Sequence, residues 1–464
     1  MAMSPRMPSR AARARLSGVL VGVALAALAG CGEQRPGPSP SPRAVFVISI
    51  DTLRQDHVGH YGYERNRTPV LDELARTSLV FERAYTTASF TLIAHMSMLT
   101  GLYPFQHGVL TPKNALSEEV PTLAQHMRAA GYHTIGFYFP GWLDEHYGFG
   151  RGFDHYESHR TAEEAQEHLF AALAKLPADK PLFCFVHLFD VHNAALVNGL
   201  ETMYDPPAPF DLMFVPDARQ RLQGADPRLA WKRDSAAVSP GQHEAIVGMY
   251  DGGIRHIDTV LGEWIAHLRE LDLFEDSLFI VTSDHGEGLN QRGSKYGGHG
   301  GAFEEGLVVP LLMRFPGGSR GGERVGRPMS HVDLLPTILD SLGLERDERL
   351  AGYSALAGRP EEALIFAERP ETDTILHWPW KMTRKCDDGR TFLYNLETDP
   401  LELLNLNHAN RGLEARQTVE SLEKRALQAR SSRFQPRAQG EQADLRSEET
   451  RALLGDLGYV DDSD

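Results

Sequence analysis

Two stretches of this chain carry a run of apolar, partly β-branched residues that stops on a carboxylate. In Ala44-Val-Phe-Val-Ile-Ser-Ile-Asp51, six of the seven residues before Asp51 are apolar, the texture of a strand buried on both faces in a parallel sheet. Leu278-Phe-Ile-Val-Thr-Ser-Asp284-His285 repeats that build and adds an imidazole. Further strands are predicted at 134–139, at 181–189 just ahead of Asp190 and His192, and at 308–314. Helical spacing predicts segments at 68–75, with Thr68 as cap and Pro69 in the first turn, at 121–131, at 163–176, at 250–271, and at 330–342 before Gly343. This alternation predicts an α/β fold. After residue 344 the texture changes to charged loops with short strands at 364–368 and 390–395, a smaller α+β subdomain, followed by a charged helix at 413–429. From 196 to 239 the periodicity fails in favour of polar, proline-rich sequence, the pattern of an insertion over a site.

In open α/β sheets ligands bind at the carboxyl ends of the strands. Asp51, Asp284 and His285 all fall there, and two carboxylates with an imidazole suit a divalent cation. Taken singly, each aspartate would serve equally well as a turn cap. The segment from Thr91 to Thr100 has helical spacing and stops at Gly101. Thr91 would then sit at a helix N-terminus, where backbone amides favour an anion. A hydroxyl there that also touches a metal becomes a nucleophile; otherwise it is an N-cap. His95, one turn on, is placed to reach the same anion or to pack in the core. Asp190 and His192 end a buried strand, so His192 is a candidate to protonate a leaving oxygen or to bind a second metal. His299 lies between glycine pairs, which let backbone approach a ligand or simply form a flexible turn.

Composition narrows the setting. With 47 basic and 63 acidic residues the net charge is −16, and nucleic acid is not an expected partner. The cysteines Cys31, Cys184 and Cys386 form no disulfide framework. Arg6, Arg10, Arg13 and Arg15 precede an apolar run at 16–28, the layout of a secretory signal and short for a membrane span. Leu28-Ala-Gly-Cys31 resembles a bacterial lipobox, which implies cleavage before Cys31 and a lipid on its thiol. The expected divisions are a signal peptide at 1–30, a lipid-anchored Pro-rich linker at 31–43, a catalytic domain at 44–345, a C-terminal subdomain at 346–410 and a charged helical tail at 411–464. The expected location is the cell envelope, as an exported lipoprotein anchored to the membrane on its periplasmic or surface side.

Ordered motifs sharpen this. Asp51-Thr-Leu-Arg54, His57-x-Gly-His-Tyr-Gly-Tyr63, Ser97-Met-Leu-Thr-Gly101, Phe189-Asp190-Val-His192, Ser283-Asp-His-Gly-Glu287 and Gly298-His-Gly-x-x-Phe-Glu-Glu305 together resemble the sulfatase family of the alkaline phosphatase superfamily. Val332-Asp-Leu-Leu-Pro-Thr337 and Asp399-Pro-x-Glu402 are similar to its later segments. The resemblance implies a central mixed β-sheet flanked by helices on both faces, with a smaller C-terminal α+β subdomain. It also implies hydrolysis of sulfate, phosphate or phosphonate esters of a small molecule, glycan or lipid, through a covalent intermediate on a metal-bound nucleophile. By position, Asp51, Thr91, Asp284 and His285 would hold the ion, which is Ca, Mg, Mn or Zn. His192 and His299 resemble anion-binding and proton-donating positions, or, with Asp190, ligands of a second metal. Lys113, shortly after His107-Gly108, falls where the anion would be touched.

Departures bear on specificity. Where sulfatases carry Cys or Ser in Cys/Ser-x-Pro-x-Arg, oxidised to formylglycine, this chain reads Thr91-Leu-Ile93-Ala-His95. Thr52 replaces the second Asp of the usual pair, and Ala194-Ala195 replaces Pro-Tyr. Threonine is the nucleophile in superfamily relatives that cleave or transfer phosphoesters. Two other readings therefore stand beside the hydrolase: a phosphoryl-group transferase acting on envelope glycan or lipid, and an inactive binding protein of the same fold.

Overall fold

A computed structural model of the chain describes residues 42–193, 203–223, 238–291, 299–408 and 412–431. The first seven strands are β1 (Ala44–Ile50), β2 (Leu79–Phe81), β3 (Ala84–Tyr85), β4 (His133–Tyr138), β5 (His155–Ser158), β6 (Leu182–Leu188) and β7 (Ser277–Thr282). Next come β8 (Val308–Val309), β9 (Leu311–Arg314), β10 (Arg324–Val325) and β11 (Met329–Ser330). Eight of these form a central sheet in the order β10-β2-β9-β7-β1-β6-β4-β5. β1 pairs in parallel with β6 and β7, and β9 runs against both β7 and β2, so the sheet is mixed.

β1 lies near the middle and is buried along its whole length. Alternate side chains feed opposite cores, as a pleated strand requires. Val45 and Val47 join the core on one face, with Phe183 and Phe185 of β6. Ala44, Phe46, Ile48 and Ile50 join the other, with Leu182, Cys184, Val186 and Leu188. Cys184 is thus a small core residue, and burial pushes its thiol up.

The predicted 308–314 strand is divided in two. Pro310 has no N–H to give a ladder, so Val308–Val309 pairs with β3 in a small sheet while Leu311–Arg314 enters the central one. The 330–342 helix begins as a 3-10 turn, His331–Asp333, before the α-helix Leu334–Ser341. The 250–271 helix starts earlier than its apolar spacing suggested, running Pro240–Glu270 behind a Ser239 capping box. Thr68 does not cap the helix Pro69–Arg76. That task falls to Asp258 of the long helix, which accepts from Val70 N and Leu71 N.

The last four strands, β12 (Ile365–Arg369), β13 (Thr372–His377), β14 (Trp380–Lys385) and β15 (Thr391–Asn395), form an antiparallel sheet in sequence order. Phe366, Ile375, Met382 and Leu393 extend the first core beneath it, and the helix Leu413–Ser431 covers it with Val419, Leu422 and Ala426. No helix among the described residues is long and apolar enough to cross a membrane. The signal, Cys31, part of the 196–239 insertion and the end of the tail lie outside the described residues.

Candidate active site

Parallel register brings the strand ends together. Ile50 pairs with Leu188 and Ser49 with Thr282, so the loops after β1, β6 and β7 leave from one edge. Asp51 and Asp284 are both fully buried there. The helix Thr91–Thr100 starts beside them, and Gly101 closes it in the left-handed region at φ 66°. Its N-cap position is Phe90, whose side chain makes no cap bond, which leaves the first amides to an incoming anion.

Thr91 Oγ1 lies 3.3 Å from His285 Nε2 and 3.5 Å from Asp51 Oδ2. His285 Nδ1 donates to the Gly286 carbonyl at 2.9 Å, so Nε2 presents a lone pair. Burial pushes His285 down to about 3 and keeps the ring neutral. Asp284 Oδ1 accepts from Thr52 N and His285 N, at 3.1 and 2.8 Å. Asp51 Oδ1 and Asp284 Oδ2 are buried with no hydrogen-bond partner among the described residues. Burial raises both carboxyls, and the charges of Asp284 and Glu287 raise Asp51 further. Two buried carboxylates with orphaned oxygens beside a neutral imidazole are costly alone and suited to a divalent cation.

Ligand atoms of Asp51, Asp284 and His285 lie within 4.8 Å of one another, and so do those of His95, His187 and Asp284. The first group is the better cage. In the second, His95 donates Nδ1 to the Thr91 carbonyl at 2.9 Å and its Nε2 meets Ser49 Oγ, so His95 has both nitrogens engaged, and His187 donates Nε2 to Asp51 Oδ2 at 3.0 Å. The sulfatase family model matches residues 43–344.

The chain belongs to the sulfatase family. It is 28% identical over 379 residues to the uncharacterized sulfatase YidJ of Escherichia coli (strain K12), covering 72% of this chain and 74% of that protein. It is 22% identical over 412 residues to an ulvan-active sulfatase of Formosa agariphila, covering 81% and 78%. Among solved structures, the phosphonate monoester hydrolase of Agrobacterium radiobacter shares the fold with a TM-score of 0.68 at 22% identity, covering 84% of this chain and 95% of that one. This chain is accordingly a sulfatase-like ester hydrolase of the alkaline phosphatase-like fold.

Within this sulfatase fold, His299 and His192 stand over the same edge. The His299 ring centre is 4.6 Å from that of His285 and 5.2 Å from that of His192, which stacks on Phe189 at 4.2 Å. His192 donates Nδ1 to the Asn193 carbonyl, and burial pushes it down to about 3. His299 adopts a φ of 60° next to Gly300 and Gly301, and its backbone N–H donates to Glu287 Oε1 at 3.2 Å. Burial raises Glu287 to about 7.

Three further expected site residues make contacts that sequence spacing does not disclose. Asp190 Oδ1 accepts from Ala162 N at 3.1 Å at the start of the helix Ala162–Leu173, and its Oδ2 is buried with no hydrogen-bond partner among the described residues. Lys113 is exposed on a turn, with its backbone N–H on Thr111 Oγ1. His95 is engaged at both nitrogens: its Nδ1 is bound as above and its Nε2 meets Ser49 Oγ at 2.9 Å. It braces the underside of the helix, 3.8 Å from Asp284 Oδ2.

Thr52, which stands for the second family Asp, has a φ of 57°, a strained conformation for a β-branched residue. Its Oγ1 donates to the Asp51 carbonyl at 2.7 Å and its own carbonyl accepts from Tyr250 Oη at 2.7 Å. The hydroxyl is therefore turned onto backbone. His187 was missed by the sequence reading. Its signal was the register, since it pairs with Ser49 and so falls on the same strand face as Asp51, two residues on.

Proposed function

We propose that this chain is an exported, metal-dependent hydrolase of sulfate, phosphate or phosphonate esters, with phosphorus esters favoured and Thr91 as nucleophile. The observation that carries it is Thr91 Oγ1 at a helix entrance, beside His285 Nε2 and Asp51 Oδ2. Asp51, Asp284, His285 and Thr91 would hold one divalent ion, which supplies positive charge to the transferred group and lowers the proton affinity of the Thr91 hydroxyl. Ca, Mg, Mn and Zn are the candidates, and an imidazole ligand tilts the choice away from Ca.

Thr91 gives up its hydroxyl proton to solvent, its Oγ1 forms a bond to phosphorus or sulfur, and the bond to the leaving alcohol oxygen breaks. His192 or His299 delivers the proton that this oxygen needs. Burial keeps both rings neutral in the free protein, and an arriving anionic ester raises their proton affinity. Water then displaces Thr91 and gives a proton back to the imidazole. Phosphorus is favoured because unmodified threonine lacks the formylglycine hydrate, and a sulfated threonine is slow to release. Since named relatives include sulfatases and a phosphonate monoester hydrolase, both ester classes enter the test.

Metal analysis of the purified protein comes first, then turnover of aryl sulfate, phosphate diester and phosphonate substrates. Thr91→Ala lowers kcat by about 10⁴-fold or more at unchanged stability. No metal-dependent turnover, with Thr91→Ala indistinguishable from wild type, selects the binding-protein reading. Thr91 also favours phosphoryl transfer to an envelope glycan or lipid, which product analysis with an acceptor present would reveal. We further propose anchoring through a lipid on Cys31: Cys31→Ala releases the protein from the membrane fraction, and an unchanged distribution refutes the anchor.

A further inference from the structure

A narrow cleft separates the entrance of the helix Thr91–Thr100 from the C-terminal sheet, lined by Ala88, Ser89, Gly301, Ala302, Arg369 and Thr372. Arg369 is the last residue of β12, so its side chain leaves a hairpin tip. Its Nη1 lies 3.3 Å from the Ser89 carbonyl and 3.4 Å from Ser89 Oγ, two residues ahead of Thr91. The guanidinium also stands 5.9 Å over the Phe90 ring. On the far side of the cleft, Gly301 and Ala302 follow His299.

Glu368 also lines the cleft but is paired with Arg430, and the acid paired with Arg369 leaves most of its charge in play. Glu371 Oε2 is 3.4 Å from Nε, but its side chain is 68% exposed against 27% for Arg369, so water screens the pair. Arg359 shows the opposite case, with Nη1 on both oxygens of buried Asp333. A sulfuryl or phosphoryl group presents several anionic oxygens, and a planar guanidinium can serve two of them at once.

We propose that Arg369, reaching across from the C-terminal sheet, binds the oxyanion of the transferred group. This rests on reading the Thr91 site as one for anionic esters. The test is calorimetric binding of inorganic phosphate, sulfate and vanadate to the metal-loaded protein, alongside kcat and KM. Arg369→Gln weakens anion binding by about 10–100-fold and raises KM more than it lowers kcat, with metal content and melting temperature unchanged. Arg369→Lys recovers part of the affinity, since it keeps the charge and loses the fork. Glu371→Gln, at an exposed position, tightens binding a few-fold at low salt, an effect that vanishes at high salt.

Unchanged anion affinity in Arg369→Gln overturns the proposal, as does a loss tracked by an equal fall in stability that Arg369→Lys does not relieve. Should Arg369→Gln fail to fold, a null result for Glu371→Gln overturns it instead. A loss confined to esters with a further anion on the leaving alcohol, at intact phosphate and sulfate affinity, also overturns it. If the wild-type protein binds these anions but hydrolyses no ester, the hydrolase reading fails and Arg369 is still judged by the affinities.

Discussion

Buried charge is handled in opposite ways at the two ends of this protein. At the edge of the central sheet, Asp51 and Asp284 are fully buried and each keeps an oxygen without a partner. Beside the C-terminal sheet, Lys381 is equally buried, yet its Nζ meets Glu304 at 2.9 Å and Glu402 at 2.8 Å. Burial alone would pull that ammonium down, but the two acids hold it above its ordinary value. Glu304 also accepts from Tyr85 Oη at 3.0 Å and opens the short helix that follows His299. One region carries a cation of its own, which offsets one of its two acids and ties two subdomains together; the other has no such cation and is left with negative charge that an ion can satisfy.

The largest effect that tests this contrast is on metal retention. Asp51→Asn or Asp284→Asn lowers it by well over ~100-fold, beyond what an outer partner costs, as metal titration would show. In metal-free protein the same variants melt at or above wild type, because a buried, uncompensated carboxylate has gone. A lower melting point in the metal-free state would erase the contrast.

Lys381→Met leaves Glu304 and Glu402 buried together and costs about 3–5 kcal/mol in denaturant unfolding. Its metal content stays at the wild-type level. A cost below ~1 kcal/mol would mean that the cluster does not lock the C-terminal sheet to the His299 segment.

His187→Leu removes the donor to Asp51 Oδ2 and weakens metal binding by about 10–100-fold, with little change in the melting point of the metal-free protein. Equal affinity would show that Asp51 is oriented without it.

The smallest effect is a pH slope. Burial raises Asp190 and Asp258, each to about 6. An acid whose folded value exceeds its unfolded one favours folding most fully below the unfolded value, and that contribution is lost as pH rises through the folded one. Metal-free protein therefore gains stability on acidification from pH 7 towards pH 5, and Asp258→Asn flattens the slope. A slope of the opposite sign would place its cause in other carboxylates.

Much of the frame was legible because local chemistry and tertiary role coincide. β1 and β7 are apolar on both faces and end at Asp51 and Asp284, so burial and ligand position are read from the same residues. Gly101 stops the Thr91 helix because its conformation is left-handed. Other roles depend on partners far along the chain. Asp190 and His192 look equivalent at the end of β6, yet Asp190 turns to Ala162 N while His192 stays over the site. Thr68 reads as a cap until Asp258, 187 residues from Leu71, takes the amides. His95 reads as an anion contact until Ser49, 46 residues away, claims its outer nitrogen.

What the residues alone settle here is an α/β chain of the sulfatase family with a threonine where cysteine or serine is usual. Apolar period, glycine stops and ordered motifs are all properties of neighbours along the chain. The direction of each polar side chain is a different matter, because it is chosen by whichever donor, acceptor or charge the folded chain brings within about 3 Å. That choice sent Asp190 to a helix start, His187 to Asp51 and Arg369 to Ser89.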